Sequence, residues 1–355
     1  FPIGIPFGIF PLTRGKHSGL MAPAFSSSED FGLGFEGLGY YKVLNDNFDA
    51  TVRTNIYSYG GWSANLNSKY IVRYKYIGNF NLSLQNTRIL NRNINIANEF
   101  TGGKTFMLNW SHSMDARALP GTNFSANVNF GSTKYNSYLL NNPYQNYQNQ
   151  ISSSISYNKS WNNKYNLSVN LNHNQNNNLG LVNLSLPNIN FNALTIYPFQ
   201  SQDQIGSGKW YEKLGIGYNG TFQNQMSFYD SAFNFNRLLD TMQWGASHNI
   251  PISVSLPSLG PITVTPSIGF EEKWFGQQNT KSWNNKLHKV DTSFERGFFR
   301  APHISFGVGT ATRIFGTYKF KSDYVQAIRH EIRPSLSFSY SPDLAKSYHY
   351  STQID

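Results

Sequence analysis

The sequence predicts an all-β fold: a large antiparallel transmembrane β-barrel, with about 15–16 strands in this chain as part of a larger wall. Three observations carry that expectation. Side chains alternate apolar and polar with period two almost throughout, and helical periodicity is hard to find. The polar face is small and neutral, made of Ser, Asn and Gly rather than Lys and Glu. Tyr and Trp gather toward strand ends.

The stretch ISSSISYNKSWNNKYNLSVNLNHN (151–174) shows all three. One face runs Ile151, Ser153, Ile155, Tyr157, Lys159, Trp161 and, after a turn, Tyr165, Leu167, Val169, Leu171, and is largely apolar. Between them lie Ser152, Ser154, Ser156, Asn158, Ser160, then Asn166, Ser168, Asn170 and Asn172. A soluble sandwich also alternates, but it keeps Lys, Glu, Asp and Thr on its outer face. Tyr and Trp favour the lipid–water interface, where one end of the ring stays apolar and the other hydrogen-bonds. Strands of about ten residues, apolar toward lipid and polar toward a lumen, are the membrane-barrel pattern. The wall must close, because a lipid-exposed backbone group has no water to pair with. Rows of Asn and Ser imply a wide, hydrated bore, since a small barrel fills its centre with interlocking side chains.

Taken in order, residues 1–23 are rich in Pro and Gly and read as a connector into the first strand. Residues 24–355 read as barrel strands, with no composition break to mark another domain. Alternation is clear at Phe48–Ile56, at Tyr74–Leu84, at Phe106–Trp110 and at Phe124–Phe130. It returns at Leu214–Phe222, Ile262–Phe270, Ile304–Val308 and Leu336–Tyr340. Tight turns are expected at Leu44–Asn47, Gly60-Gly61 and Asn162-Asn163. Longer polar connections are expected near 88–103, 132–147, 198–209 and 276–300.

Composition narrows the function. Aromatics reach 16% and charged residues only 14% of 355 residues, which is too aromatic and too uncharged for a disordered chain. There are no cysteines, so a disulfide framework, thiolate zinc and Cys nucleophiles are excluded. The formal net charge is +10. Lys and Arg are scattered singly rather than in blocks, which argues against nucleic acid and leaves an anionic membrane surface or an acidic ligand. No run of about 18 apolar residues exists, so no transmembrane helix is expected. The chain opens on Phe1 without a signal peptide and reads as processed or cut from something longer.

Candidate chemistry is sparse. His112 and His173 continue the faces of their strands near the ends and read as interfacial or loop residues; no HExxH, CxxC or paired-His spacing offers a metal site. Glu271 and Glu272 are adjacent on a strand and point to opposite faces, so they cannot share a substrate atom. No GxSxG elbow is present. The series GLGFEGLGYY (32–41) lacks the following helix of a dinucleotide loop, and its glycines read instead as relieving curvature or admitting another backbone. Arg53, Lys69, Arg73 and Lys75 read as head-group ligands or as solvated lumen and rim charges. No cofactor, metal or catalysis is expected.

Two stretches go further. Residues 6–58 supply Pro11, Arg14, Ser18-Gly19, Met21-Ala22-Pro23, Tyr40-Tyr41 and Asn47–Thr51. Residues 312–343 read TRIFGTYKFK…IRHEIRPSLSFSYSPD. In this order they resemble the LPS-assembly outer-membrane protein family, LptD, in its Bacteroidota-type branch. The resemblance implies a translocon in the bacterial outer membrane that inserts lipopolysaccharide into the outer leaflet. The glycan would pass through the lumen and the acyl chains through a lateral seam. Implied partners are lipopolysaccharide, the plug lipoprotein LptE, the periplasmic bridge protein LptA and outer-membrane lipids. Carried over, Met21, Ala22 and Pro23 match the seam strand, where a proline without an N–H removes a ladder bond. Arg14 and Lys16, with Arg53, Lys69 and Arg73, would meet anionic lipid at the lumen entrance. The chain departs from the family in lacking the preceding jelly-roll, in having fewer strands than the family's barrel, in ending on STQID without a terminal aromatic strand, and in having no disulfides; the closing strands are expected to lie outside it. Other readings are a passive porin or uptake channel, a membrane-embedded hydrolase and a secreted β-rich adhesin.

Overall fold

The computed structural model describes residues 15–91, 99–136, 150–201, 209–230, 241–284, 286–321 and 326–344. Among them are eighteen strands. The first eight are β1 (Gly19–Met21), β2 (Ala24–Ser28), β3 (Gly32–Asn45), β4 (Phe48–Tyr57), β5 (Trp62–Val72), β6 (Tyr76–Leu90), β7 (Phe100–Met114) and β8 (Thr122–Gly131). Next come β9 (Gln150–Trp161), β10 (Tyr165–Asn176), β11 (Leu181–Ile196), β12 (Leu214–Tyr229) and β13 (Gln243–Val254). The last are β14 (Ile262–Asn284), β15 (Lys289–Thr312), β16 (Ile314–Lys319), β17 (Ala327–Ile332) and β18 (Ser335–Tyr340). Sixteen form one sheet: β1 and β2 both pair with β3, each strand from β3 to β15 neighbours its successor, and β18 pairs with β15. β16 and β17 form a separate antiparallel ribbon. Chain contacts divide the protein into two compact units: residues 1–120, 124–155 and 174–181, and residues 121–123, 156–173 and 182–355.

In the first unit the register aligns the period-two pattern across six strands. Tyr41, Thr51, Asn67, Asn81, Asn109 and Asn129 stand side by side from β3 to β8, next to a row of Val43, Asp49, Lys69, Asn79, Ser111 and Asn127. Amides and hydroxyls bond along this wall: Asn109 Nδ2 donates to Asn129 Oδ1 at 2.8 Å and Ser83 Oγ to Asn65 Oδ1 at 2.6 Å. The opposite face carries Tyr40, Val52, Leu66, Leu82, Leu108 and Phe130 in register. Near the β5–β6 turn that face turns aromatic. Trp110 Nε1 donates to Tyr70 Oη at 2.8 Å, and Tyr70 Oη meets His112 Nδ1 at 2.9 Å.

The second unit repeats the scheme. Ile216, Ile252, Ile268, Phe306 and Tyr340 share one row, and Gly215, Ser253, Ser267, Gly307 and Ser339 the row beside it on the other face. The β9–β10 turn forms as expected: Asn162 and Asn163 take φ of 49° and 53°, and Lys164 N donates to Trp161 O at 2.9 Å. Two left-handed residues make a type I′ turn, whose twist matches that of the strands it joins.

Burial runs opposite to that of a soluble domain. Among the described residues the buried hydrophobics are Met107, Ala126, Ile151 and Val182, while Asp49, Ser83, Thr87, Thr105, His173, Gln175, Asn224 and Glu272 are buried polar groups. Leu20 is 84% exposed, Phe25 71% and Phe338 71%. A water-soluble chain hides such side chains; a membrane strand presents them to acyl chains.

The structure corrects several expectations, and the eighteen strands among its described residues exceed the 15–16 expected. Tyr74 does not begin a strand; it sits in the β5–β6 turn with φ of 62°. Residues 276–300 are not a polar connection: β14 and β15 stay paired out to Asn284↔Lys289, with one register shift near Phe275 and Gln277. Outside hydrocarbon neither face must be apolar, so the alternation disappears while the ladder continues. At 23 and 24 residues these strands reach about 75 Å at ~3.3 Å per residue, more than twice the hydrocarbon thickness.

The turn makes a direct prediction. Asn163→Val places a β-branched residue at positive φ and is expected to destabilise the folded state by about 1–2 kcal/mol, read as a lower urea midpoint in detergent.

Candidate functional site

β1 and β2 are two halves of one strand. Gly19–Met21 pair with Tyr41–Gly39 and Ala24–Ser28 with Glu36–Gly32, in a single register. Ala22 and Pro23 therefore stand opposite Leu38 and Gly37 without a recorded pairing. Pro23 has no N–H to donate. Gly37 is irregular too: its φ is 81°, and its N–H donates to Asn55 Oδ1 at 2.8 Å. Between the pairs Phe35↔Ile56 and Leu38↔Thr54, Glu36 and Gly37 oppose the single Asn55, a β-bulge. The ladder is thus interrupted on both strands at one height. Met21, Ala22 and Pro23, the expected seam residues, lie at or beside that gap. The glycine series relieves backbone geometry here, as the sequence implied.

The base of this strand is held by an ion pair that the sequence did not reveal. Lys16 Nζ lies 2.6 Å from Asp49 Oδ2 on β4, and Tyr41 Oη donates to the same oxygen at 3.3 Å. Asp49 is buried, with an 11% exposed side chain against 54% for Lys16. The hydrogen bond to Asp49 raises the Lys16 ammonium above its ordinary value. Ser18 Oγ adds a second tie by accepting from Val43 N at 2.9 Å.

The other expected charges separate. Arg53 and Lys69 both fall on the polar face, Arg53 between Gly39 and Asn65, Lys69 between Asp49 and Asn79. Arg73 lies instead in the exposed β5–β6 turn, beyond the wall, because the strand ends at Val72. Arg14 lies outside the described residues.

Among the described residues no group of three or more His, Asp or Glu is placed to hold a metal ion. His112 belongs to the aromatic cluster; His173, expected at an interface or loop, is buried on β10. Glu271 and Glu272 do face opposite ways, toward Lys273 at 3.2 Å and toward Arg300 respectively. The Glu272–Arg300 pair lies on the apolar face beside His248 and Pro302, a placement that period two alone did not reveal.

Comparison with known proteins then adds the following. A family model described as "LptD protein" matches residues 1–355, the whole chain. No curated relative matches it. Among solved structures, a chain titled "Bacterial polysaccharide outer membrane secretin" is similar at 7% identity and a TM-score of 0.27, covering 89% of this chain and 93% of that chain.

The ion pair generates a test with a defined sign. A raised lysine value means that the pair is complete at neutral pH and is lost only as pH climbs past the ordinary value of 10.5 and through the raised one. A spin label at position 20 is expected to keep its mobility from pH 6 to 9 and to loosen above about 10.5. Lys16→Met is expected to give the loose spectrum already at pH 7.

Proposed function

The chain belongs to the LptD family of the outer membrane, and on that premise we propose that its strands close into a barrel that delivers lipopolysaccharide to the outer leaflet. The glycan travels along the Asn- and Ser-lined face, and the acyl chains leave sideways at the first strand. The observation that supports this reading most is the double interruption at Pro23 and Gly37.

In hydrocarbon an unpaired N–H or C=O costs several kcal/mol, so a strand seam resists opening in proportion to its ladder bonds. The first strand offers three paired residues, a gap and five more. Parting it breaks fewer bonds than parting a complete pair such as β6 and β7, which are matched over fifteen positions from Tyr76↔Met114 to Leu90↔Phe100. A gate needs that weakness, together with a means of staying shut at rest. The Lys16–Asp49 pair provides it at the strand base, where a fixed point lets the gap above open while the connector stays seated.

The polar face suits a hydrated glycan. Its hydroxyls and amides both donate and accept, so no single sugar hydroxyl is stranded as it moves. Arg53 and Lys69 provide the positive charges that attract phosphorylated sugars. The family's periplasmic bridge LptA and plug lipoprotein LptE are the expected partners for supply and for filling the bore. The wall itself is a passive conduit and the driving energy comes from elsewhere.

Depletion of the protein in cells is expected to stop newly made lipopolysaccharide from reaching the surface; normal display during depletion would leave only a porin-like role. Pro23→Ala restores a backbone donor and is expected to slow surface delivery several-fold without lowering barrel stability, read by pulse-labelled lipopolysaccharide. Unchanged delivery would remove the seam from this strand.

A further inference from the structure

A cavity of about 450 Å³ opens on the polar face of the first unit, beside the bulge. Its lining includes Glu36, Asn55, Tyr57, Phe31, Ser83 and Gln85. That volume is typical of a small-molecule site rather than of a crevice between side chains. We propose that this cavity is a subsite for an uncharged or amino sugar residue of the glycan, one that excludes phosphorylated sugars. The inference rests on the transport reading above.

Three features point to a sugar. The rings of Phe31 and Tyr57 stack at 4.8 Å with planes 27° apart and both line the cavity, so a ring face left outside the stack suits the C–H face of a pyranose. Gly34 allows this, because a Cβ there would come 2.8 Å from the Tyr57 ring. Around the rings lie groups that suit hydroxyls. Glu36 Oε1 accepts from Ser26 Oγ at 2.9 Å and from Tyr57 Oη at 3.1 Å, and an ionised carboxylate has about four acceptor positions, so it retains capacity for a ligand. Gln85 also lines the cavity, and its enclosed Nε2 finds no acceptor among the described residues, so a turn of the amide would let it meet a ligand.

Charge decides the class. Glu36 places a carboxylate in the lining, and neither Arg53 nor Lys69 is among the described lining residues. A phosphate would meet like charge there, whereas an ammonium or a hydroxyl would be welcomed. The wall is therefore divided: cations lie along the rows nearer the strand base, and a carboxylate-and-amide pocket lies beside the gap. Asn55 links the two functions, since it lines the cavity and also accepts the Gly37 N–H at the bulge.

The test uses the full-length protein with its plug partner in detergent. The probe is polysaccharide released from lipopolysaccharide by mild acid, in one arm dephosphorylated and in the other native, with binding read by calorimetry. The dephosphorylated form is expected to bind at least as tightly as the native one, and Glu36→Gln and Tyr57→Phe are each expected to weaken it about fivefold or more. Gln85→Ala provides a further reading should either variant fold poorly, as judged by heat-modifiable migration. Binding unaffected by all three substitutions overturns the proposal. So does tighter binding of phosphorylated polysaccharide to Glu36→Gln than to the native protein, with no loss for the dephosphorylated form. Loss of the plug lipoprotein with glycan binding intact reassigns the cavity to the plug and also overturns it. Absence of all glycan binding, with export still dependent on the protein, removes the subsite and leaves the transport reading standing. Export that persists on depletion removes the transport reading itself.

Discussion

In hydrocarbon every backbone N–H and C=O needs a protein partner, and that requirement organises the molecule. It accounts for hairpin after hairpin with almost no other regular structure among the described residues. It also accounts for the care with which register is kept, since a slip by one residue would move every Leu and Ile of a strand to the polar face and every Asn to the apolar one. In the first unit four successive ladders hold that register, placing Thr51, Asn67, Asn81, Asn109 and Asn129 in line. Where a rule is this strict, the place that breaks it carries information. Pro23 and Gly37 break it together, one by lacking a donor and the other by directing its donor to a side chain.

The energetics of the two faces follow from the same solvent. A soluble domain gains stability by hiding apolar surface from water. Here that surface is left out, and the closely packed side chains are polar: Gln175 is 1% exposed, with its amide donating to Gly131 O at 3.1 Å. Burying such groups is tolerable only because they bond to one another and to the backbone. Neutral amides and hydroxyls achieve this without the desolvation cost of a charge. That explains a wall rich in Asn and Ser and poor in Lys and Glu. Some of the charges that do occur are paired, as in Lys16–Asp49, Lys273–Glu271 and Arg300–Glu272.

The aromatic residues mark level as well as face. Phe48, Tyr70, Tyr76, Trp110, His112 and Phe124 gather on the apolar face of the first unit near the β5–β6 turn. A ring cluster with polar tips bonded to each other suits the boundary between acyl chains and water. Beyond such a boundary the constraint on apolarity lapses. The β14–β15 hairpin illustrates this, since it remains a ladder over a stretch whose composition no longer looks like a membrane strand.

The sequence by itself determined what depends on neighbours a few residues apart. Alternation of Ile, Leu and Phe with Ser and Asn settled strands and faces, because side-chain direction repeats every two residues. Asn45 and the pair Asn162-Asn163 settled turns, because turn chemistry is local; Asn45 Oδ1 does accept from Asn47 N and Phe48 N at 2.9 and 2.8 Å. Only the tertiary structure decided what depends on register between distant residues. Lys16 and Asp49 are 33 positions apart and Arg300 and Glu272 are 28 apart, and no periodicity announces such meetings. The same holds for the bulge that sets Gly37 against Pro23, for the cavity that joins Phe31, Tyr57 and Gln85, and for Arg73 falling in a turn while Arg53 stays on the wall. Pairing across a sheet is fixed by ladder bonds summed over many strands, and a one-dimensional pattern does not contain that sum.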